Sequence, residues 1–508
     1  MKEGLELLKN NGLMKNKILS FLKDNWILLL ILAVGLFLRL YNGKEWFVYD
    51  HDQDLAGWVI RDIVLNQHLR LIGQLTSTPG VFIGPLFYYL LIPFYLAFNW
   101  DPLGGVFLVA ILGLFAIWGT YFTLSKIFNK NVGLIGAILY AVSPYIVFND
   151  RRVVPTMPLM IWSTWFLYCS YLIIKGNQKK GFLLAAVLIA LIWHINFGLA
   201  ILLPILLIAL ILSKKKIDFK ALAVSLITLV ILFSPFIAFE ARHGFSQTKA
   251  VFLSATVEQG DVLTGVSKVA KIYDVVTKNI SGILWGYPGG IPKSLAFWVA
   301  IGGIVVLVFR KKVDKKLLAI LAVWFLMTTV FFSLYSKPVS EYYLDSLTAV
   351  WILFIALFIE LLMKSKKLKI AGWFILAAFV LISFKRFSNY IPNNNGYVER
   401  RAAINYIKND ALSHGYPCVS LSYITGSGYN FGYRYFIWMD GVSVREVSTN
   451  APVYSIVFPL SLVDSLDRTF GGVGVINPDY SIYNKEGIAK SCQGENVNLV
   501  GSMFGYTE

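Results

Sequence analysis

Apolar runs about as long as a bilayer is thick, separated by short clusters of lysine and arginine, constrain this chain more than any motif in it. A helix needs about 20 apolar residues to cross a hydrocarbon core of about 30 Å. Runs of roughly that length fall at 25–41, 104–125, 132–149, 156–174, 181–195, 197–213, 221–239, 294–309, 317–335, 343–363 and 369–385. With 57% of residues hydrophobic and only 15% charged, a soluble globular fold is excluded. The expectation is an all-α polytopic membrane protein of about eleven transmembrane helices plus interfacial helices. The net charge of +17 belongs to the clusters between runs, where Lys and Arg act as topology signals. It therefore points to no nucleic acid.

Charge parity settles the one ambiguous run. Gly80–Phe98 is long enough to cross but carries Pro85, Pro93 and many aromatics. If it stays on one side, Lys126/Lys130, Lys175/Lys179/Lys180, Lys214–Lys216, Arg310–Lys316 and Lys364–Lys369 all share the cytoplasmic face with the basic N-terminus. It is therefore read as an interfacial or re-entrant helix. The same parity makes 180–214 a hairpin of two short spans turning near His194. Residues 1–24 lack the small-residue cleavage site of a secretory signal, so the first run is expected to remain as an anchor. The chain is thus expected in a prokaryotic cell membrane, with its N-terminus cytoplasmic and its polar, aromatic and glycine-bearing segments outside.

Among those segments, Phe47–Asp62 (FVYDHDQDLAGWVIRD) is the most suggestive. Asp50, Asp52 and Asp54 alternate with His51 and Gln53 and lead into a helix-spaced apolar pattern. Crowded carboxylates either hold a cation or acquire raised pKa values, so Asp52 and Asp54 are candidates for a divalent metal ion and all three for general-base work. The plainer alternative is a solvated acidic turn. Arg151 and Arg152, adjacent at an outer turn, could grip a phosphate bidentately or else snorkel toward headgroups. Lys337 and Glu341 form a further charged turn beside a proline, and His194 sits with Asn196 at the tip of the short hairpin.

After Lys385 the composition changes to Tyr, Gly, Asn and Ser, which divides the chain into a transmembrane part, 1–385, and a small extracytoplasmic α+β domain, 386–508. There, Tyr397–Asn409 reads as helix, and Cys418–Ile424, Tyr433–Met439 and Tyr454–Phe458 read as strands. Between the parts, Val262–Ile283 suits a surface helix and Gly286–Pro292 a turn. Cys418 and Cys492 can pair if their domain is extracytoplasmic, whereas Cys169 lies inside an apolar run.

The order of first span, acidic outer loop, amphipathic helix, aromatic GPLFYYLLIP segment and Arg-bearing outer turn resembles the GT-C glycosyltransferases that use polyprenyl-phosphate sugars. The subgroup is that of protein O-mannosyltransferases and lipid A aminoarabinose transferases. Its first outer loop carries Asp-Glu with an Arg nine positions after the Asp, and Asp52 and Arg61 stand in that relation, with Gln53 replacing the Glu. Gly84-Pro85-Leu86-Phe87-Tyr88-Tyr89 is similar to the family's Lys-Pro-Pro-Leu-x-Tyr-Trp helix without its lysine. Asn149–Leu159 is similar to its Arg-bearing turn, with Met157 at the usual aspartate. The resemblance implies an inverting transfer of a sugar from a polyprenyl-phosphate donor to a lipid, glycan or protein acceptor at the outer membrane surface. It makes Asp52 the catalytic or metal-binding aspartate and places Arg61 beside it. Arg151, Arg152 and Lys337 then suit the departing phosphate, with His194 and Glu341 as further substrate contacts. Two other classes remain: a transporter or flippase of a lipid-linked or polar substrate, which would need interior charge in its spans, and a membrane scaffold, which leaves the acidic loop without a purpose.

Overall fold

A computed structural model describes residues 22–256, 265–286, 292–335, 339, 341–501 and 503–506. Helix α1 covers residues 22–40. It is followed by α2 (His51–Leu65), α3 (Leu86–Ala97), α4 (Gly104–Ile127), α5 (Lys130–Val142), α6 (Pro144–Asp150) and α7 (Leu159–Ile174). Next come α8 (Gln178–Ile195), a 3₁₀ turn (Phe197–Leu202), α9 (Pro204–Ser213), α10 (Phe219–Leu232), α11 (Ser234–Arg242), α12 (Ser246–Thr256) and α13 (Gly265–Trp285). The helical part closes with α14 (Lys293–Phe309), α15 (Lys315–Leu334), α16 (Thr348–Lys364) and α17 (Lys369–Ser388). Among the described residues, five helices are long and apolar enough to cross a membrane, or seven if two bent pairs each count as one span. Of the remaining turns expected from sequence, 287–291 lies outside the described residues, and α13 takes the place of the surface helix foreseen at Val262–Ile283.

The lysine clusters meet at one end of the bundle. Lys130 Nζ reaches the Asp24 carbonyl (2.8 Å), Asn129 donates to Glu360 (3.2 Å), and Lys175 pairs with Asp314 (3.4 Å). Gln178 donates to the Lys216 carbonyl (2.9 Å), so α8 and its return through α9 begin and end on that same side. Helix α3 has 12 residues, about 18 Å of rise against a core of about 30 Å, which agrees with a segment that does not cross.

Two expected straight spans are broken. Helices α5 and α6 meet at 67° and α10 and α11 at 56°. The first break falls at Ser143-Pro144, where proline has no N–H to donate and disfavours helix in the residue before it, and the second at Phe233, just ahead of Pro235 in the first turn of α11. Ser143 accordingly adopts an extended ψ of 119°. The bend swings α6 so that Asp150 reaches Arg39 of α1, with Nε and Nη2 at 3.0 and 2.5 Å from Oδ2. Arg39 also donates to the Gly35 and Ala141 carbonyls, and Tyr140 donates to Asp150 Oδ1.

The tail is α+β. Helix α18 (Tyr397–Ser413) precedes β1 (Val419–Thr425), α19 (Arg434–Met439), β2 (Val444–Arg445), β3 (Val453–Phe458), β4 (Arg468–Phe470) and β5 (Val473–Ile476). The sheet order is β2-β1-β3-β5-β4, with β1 parallel to both β2 and β3, and β5 antiparallel to both β3 and β4. The expected strand Tyr433–Met439 is thus a helix: parallel β1 and β2 need a crossover between them, and α19 supplies it. A disulfide joins Cys418 to Cys492, closing a loop of 74 residues. Cys169 is free and buried.

The tail docks on the acidic segment. Tyr397 N–H donates to the Phe47 carbonyl (3.2 Å) and its hydroxyl to Asp101, while the Tyr435 hydroxyl donates to the Trp100 carbonyl (2.7 Å). The Tyr435 ring lies so close to α2 that a Cβ at Gly57 would sit 2.7 Å from it, so no larger residue fits there. Asp54 is fully buried and accepts from Tyr435 N–H (2.8 Å) and the Tyr49 hydroxyl (3.2 Å).

Two outcomes follow from this packing. Arg39→Met strands a buried carboxylate, so thermal unfolding of purified protein should show a loss of about 3–5 kcal/mol; an unchanged melting temperature would deny the pair its role. Burial pushes Asp54 up to about 6 despite the hydrogen bonds from Tyr435 and Tyr49. An acid whose pKa is higher folded than unfolded holds its proton better when folded, so this contribution is greatest below the ordinary carboxylate range and is lost as pH rises toward 6. Asp54→Asn keeps an acceptor for Tyr435 N–H and removes the charge. Its melting temperature at pH 7 should equal or exceed that of the parent, and the parent's decline across pH 4–6 should flatten.

Candidate active site

The first turn of α2 sends the three aspartates in different directions. Asp50 is the N-cap: its side chain accepts from Asp52 N–H (3.2 Å), and Gln53 returns a bond to Asp50 N–H (2.9 Å), forming a capping box. Carboxylates at this positive helix end are also favoured by the backbone dipole. Asp52 and Asp54, two residues apart, project about 200° from each other on a helix of 3.6 residues per turn. Asp54 faces the tail, and Asp52 faces a cavity of about 770 Å³. The two carboxylates therefore leave opposite faces of α2. Among the described residues no group of three or more His, Cys, Asp or Glu side chains is placed to hold a metal.

The cavity has two kinds of wall. Asp52, Gln74, Thr76, Arg152, Thr156 and Asn196 supply polar groups, while Phe197, Ile201, Val251, Phe331 and Leu334 supply an apolar side. That apolar side comes from α12, the end of α15 and the turn into α9. Burial and the neighbouring Asp50 carboxylate raise the Asp52 pKa, opposed by His51, Arg152 and a contact from Gln74 Nε2 (3.5 Å). A carboxylate held above its usual range beside a guanidinium is suited to taking a proton. Gln74 is in turn oriented by the fully buried Tyr88, whose hydroxyl donates to Gln74 Oε1 (3.0 Å).

The other sequence candidates divide. Arg152 lines the cavity with Asp52, but Arg151 turns away from it: buried, it donates to the carbonyls of Leu38 (2.9 Å), Tyr41 (2.7 Å) and Asn42 (3.2 Å) and lies over the Trp46 ring. Adjacent residues at a helix end point in divergent directions, so the pair cannot fork around one phosphate. Arg61 sits one helical face away from the cavity, stacked on Trp58 and Trp438 at 4.8 and 5.3 Å. His194 is likewise occupied, since its Nδ1 accepts from Leu86 N–H (3.3 Å) and its ring covers Gly84, anchoring the start of α3. Asp150 is committed to Arg39. Lys337 lies outside the described residues, and Glu341 begins the 3₁₀ helix Glu341–Leu347.

Sequence reasoning did not single out Gln74, Thr76 or Thr156. Gln74 and Thr76 lie in an irregular loop whose only ladder is an isolated Leu75–Phe82 bridge, and such a loop offers no periodicity to read.

Residues 80–239 match the model of the dolichyl-phosphate-mannose-protein mannosyltransferase family. In structure, the chain is similar to ArnT from Cupriavidus metallidurans bound to undecaprenyl phosphate, with a TM-score of 0.59 and 12% identity over 89% of this chain and 98% of that one. The apo form of the same protein gives a TM-score of 0.57 and 12% identity over 91% and 99%. The archaeal oligosaccharyltransferase AglB from Archaeoglobus fulgidus, in complex with an inhibitory peptide and a dolichol-phosphate, superposes with a TM-score of 0.48 and 13% identity over 86% and 70%. No match was found among curated protein sequences. The chain thus has the fold of ArnT and, over residues 80–239, the sequence pattern of the dolichyl-phosphate-mannose-protein mannosyltransferase family.

Proposed function

We propose that this chain is a membrane glycosyltransferase that moves a hexosyl or pentosyl group from a polyprenyl-phosphate donor to a lipid, glycan or protein acceptor on the outer membrane face. The observation that carries the reading is a cavity whose lining brings Asp52 and Arg152 together with several apolar side chains. A polyprenyl-phosphate sugar has that same combination, with a hydrocarbon chain at one end and a phosphosugar at the other. ArnT, whose fold this chain has, is described with undecaprenyl phosphate bound. No comparison supports the transport alternative.

In the proposed reaction, Asp52 takes the proton of the acceptor hydroxyl as its oxygen bonds to the anomeric carbon. The bond from that carbon to the phosphate oxygen breaks in the same displacement, so the configuration inverts. The departing polyprenyl phosphate gains negative charge, which the Arg152 guanidinium is placed to offset. Thr76, Thr156 and Asn196 offer hydroxyl and amide partners for the sugar. The lysine-rich end of the bundle lies opposite and is assigned to the cytoplasm, which puts this chemistry and the disulfide-bonded tail outside.

Asp52→Asn preserves shape while removing the base, so transfer from a polyprenyl-phosphate sugar should fall by about 10²–10⁴-fold with normal folding. Retention of parental transfer by purified Asp52→Asn would overturn the assignment. The two arginines should separate: Arg152→Lys loses the bidentate fork and should weaken binding of a polyprenyl-phosphonate analogue about tenfold. Arg151→Lys should lower the melting temperature with little change in that affinity. Equal effects of both variants on analogue binding would contradict the division. Reporter fusions after residue 100 and near Lys130 should report outside and inside, respectively.

A further inference from the structure

At the lysine-rich end of the bundle, remote from Asp52, the ends of α4, α7 and α16 and the α14–α15 turn enclose a second cavity of about 390 Å³. Lys175, Lys312 and Lys364 reach it from three separate elements, together with Tyr171 and Asn129. Its remaining wall is apolar, formed by Ile127, Phe128, Leu317 and Leu357. Two acids are also present, and each is occupied. Asp314 caps α15 through Lys316 N–H (2.8 Å) and pairs with Lys175 (3.4 Å); Glu360 accepts from Asn129 (3.2 Å) and pairs with Lys364 (2.5 Å).

These acids hold two ammonium groups in place without exhausting them. An ammonium has three donors, so Lys175 and Lys364 each keep donors beyond the one spent on a carboxylate. The exposed Lys312 has no counter-ion among the described residues. With three lysines against two carboxylates, the cavity carries one net positive charge. We propose that it binds the phosphodiester of an anionic glycerophospholipid, with the acyl chains leaving along the half-buried Ile127 and Phe128 at the end of α4. One excess charge matches a phosphodiester monoanion, while the fixed carboxylates would repel an inorganic phosphate dianion. Basic pockets between membrane helices on the cytoplasmic side are a recognised setting for such headgroups. Positive-inside topology accounts for lysines on this face but not for their convergence, from three elements, on a walled cavity.

The test is native mass spectrometry of the purified full chain titrated with dioleoylphosphatidylglycerol, dioleoylphosphatidylcholine or sn-glycerol 3-phosphate. Phosphatidylglycerol should be retained at least several-fold better than phosphatidylcholine, and glycerol phosphate should not be retained. Lys312→Gln and Lys175→Gln should each reduce the phosphatidylglycerol adduct several-fold, and Lys312→Arg should keep it. Lys220→Gln, on the same face but outside the cavity, should leave it unchanged. The proposal fails if Lys220→Gln reduces the adduct as much as the lining variants, which signals a diffuse surface charge. It also fails if the lining variants have no effect, or if glycerol phosphate binds as well as the lipid, which signals a site for soluble phosphate. Transfer activity at Asp52 is not part of the readout, so this outcome and that of the catalytic reading are independent.

Discussion

Much of the site's geometry hangs on the Arg39–Asp150 pair. Two opposite charges, both nearly inaccessible, face each other inside the bundle, and each has further hydrogen-bond partners. The pair ties the end of α1 to the end of α6, and those two ends are where the chain leaves for the Phe47–Asp62 segment and for the Arg151-Arg152 turn. With Asp150 committed to Arg39, Arg151 falls beside the last carbonyls of α1 and closes that end. Arg152 is then the side chain left to enter the cavity. Gln53, on α2, donates to the Val153 carbonyl (3.0 Å), which draws the acidic helix onto the same turn. Asp52 and Arg152, 100 positions apart in sequence, meet because of this succession of contacts.

The Ser143-Pro144 break is what lets the pair form. A straight helix from 132 to 149 would rise about 27 Å along one axis and carry Asp150 to the surface beyond it. Bending by 67° lays α6 across the top of the bundle, so that its last residue turns inward. Proline performs this without leaving an orphan donor, since it has no N–H to satisfy. Gly113 supplies the room: a Cβ there would lie 2.3 Å from the Arg39 side chain, so the guanidinium occupies the space that a larger residue would take.

The layout of the bundle was legible in the sequence because bilayer length and lysine parity are strong, independent constraints. The two agreed on the hairpin at 180–214, parity alone decided for a non-crossing Gly80–Phe98, and the clusters do converge at one end. Side-chain direction was less legible. Arg151 and Arg152 are equivalent as letters and opposite in placement, and His194 looks like a ligand until its ring is seen against Gly84. Within the tail, the alternation of aromatics in Tyr433–Met439 reads as strand locally. The need to connect two parallel strands overrides that local preference. Gln74 left no trace because nothing in a loop's composition tells which amide will face a carboxylate.

What the spacing of Asp50, Asp52 and Asp54 does depends on the secondary structure it falls in. Alternation by two on a strand would have stacked the carboxylates on one face, where they would need a cation. On a helix the same spacing disperses them, and each meets a different neighbour: the helix N-terminus, the cavity and the tail. Asp52 and Asp54 lie in the same turn and cannot move independently, so the tail that holds Asp54 through Tyr435 N–H also fixes how far Asp52 stands into the cavity. Catalysis by a proton acceptor depends on placement within a few tenths of an ångström. On the proposed reading of Asp52 as the base, the tail is therefore part of what positions it, even though its sheet lies away from the cavity walls.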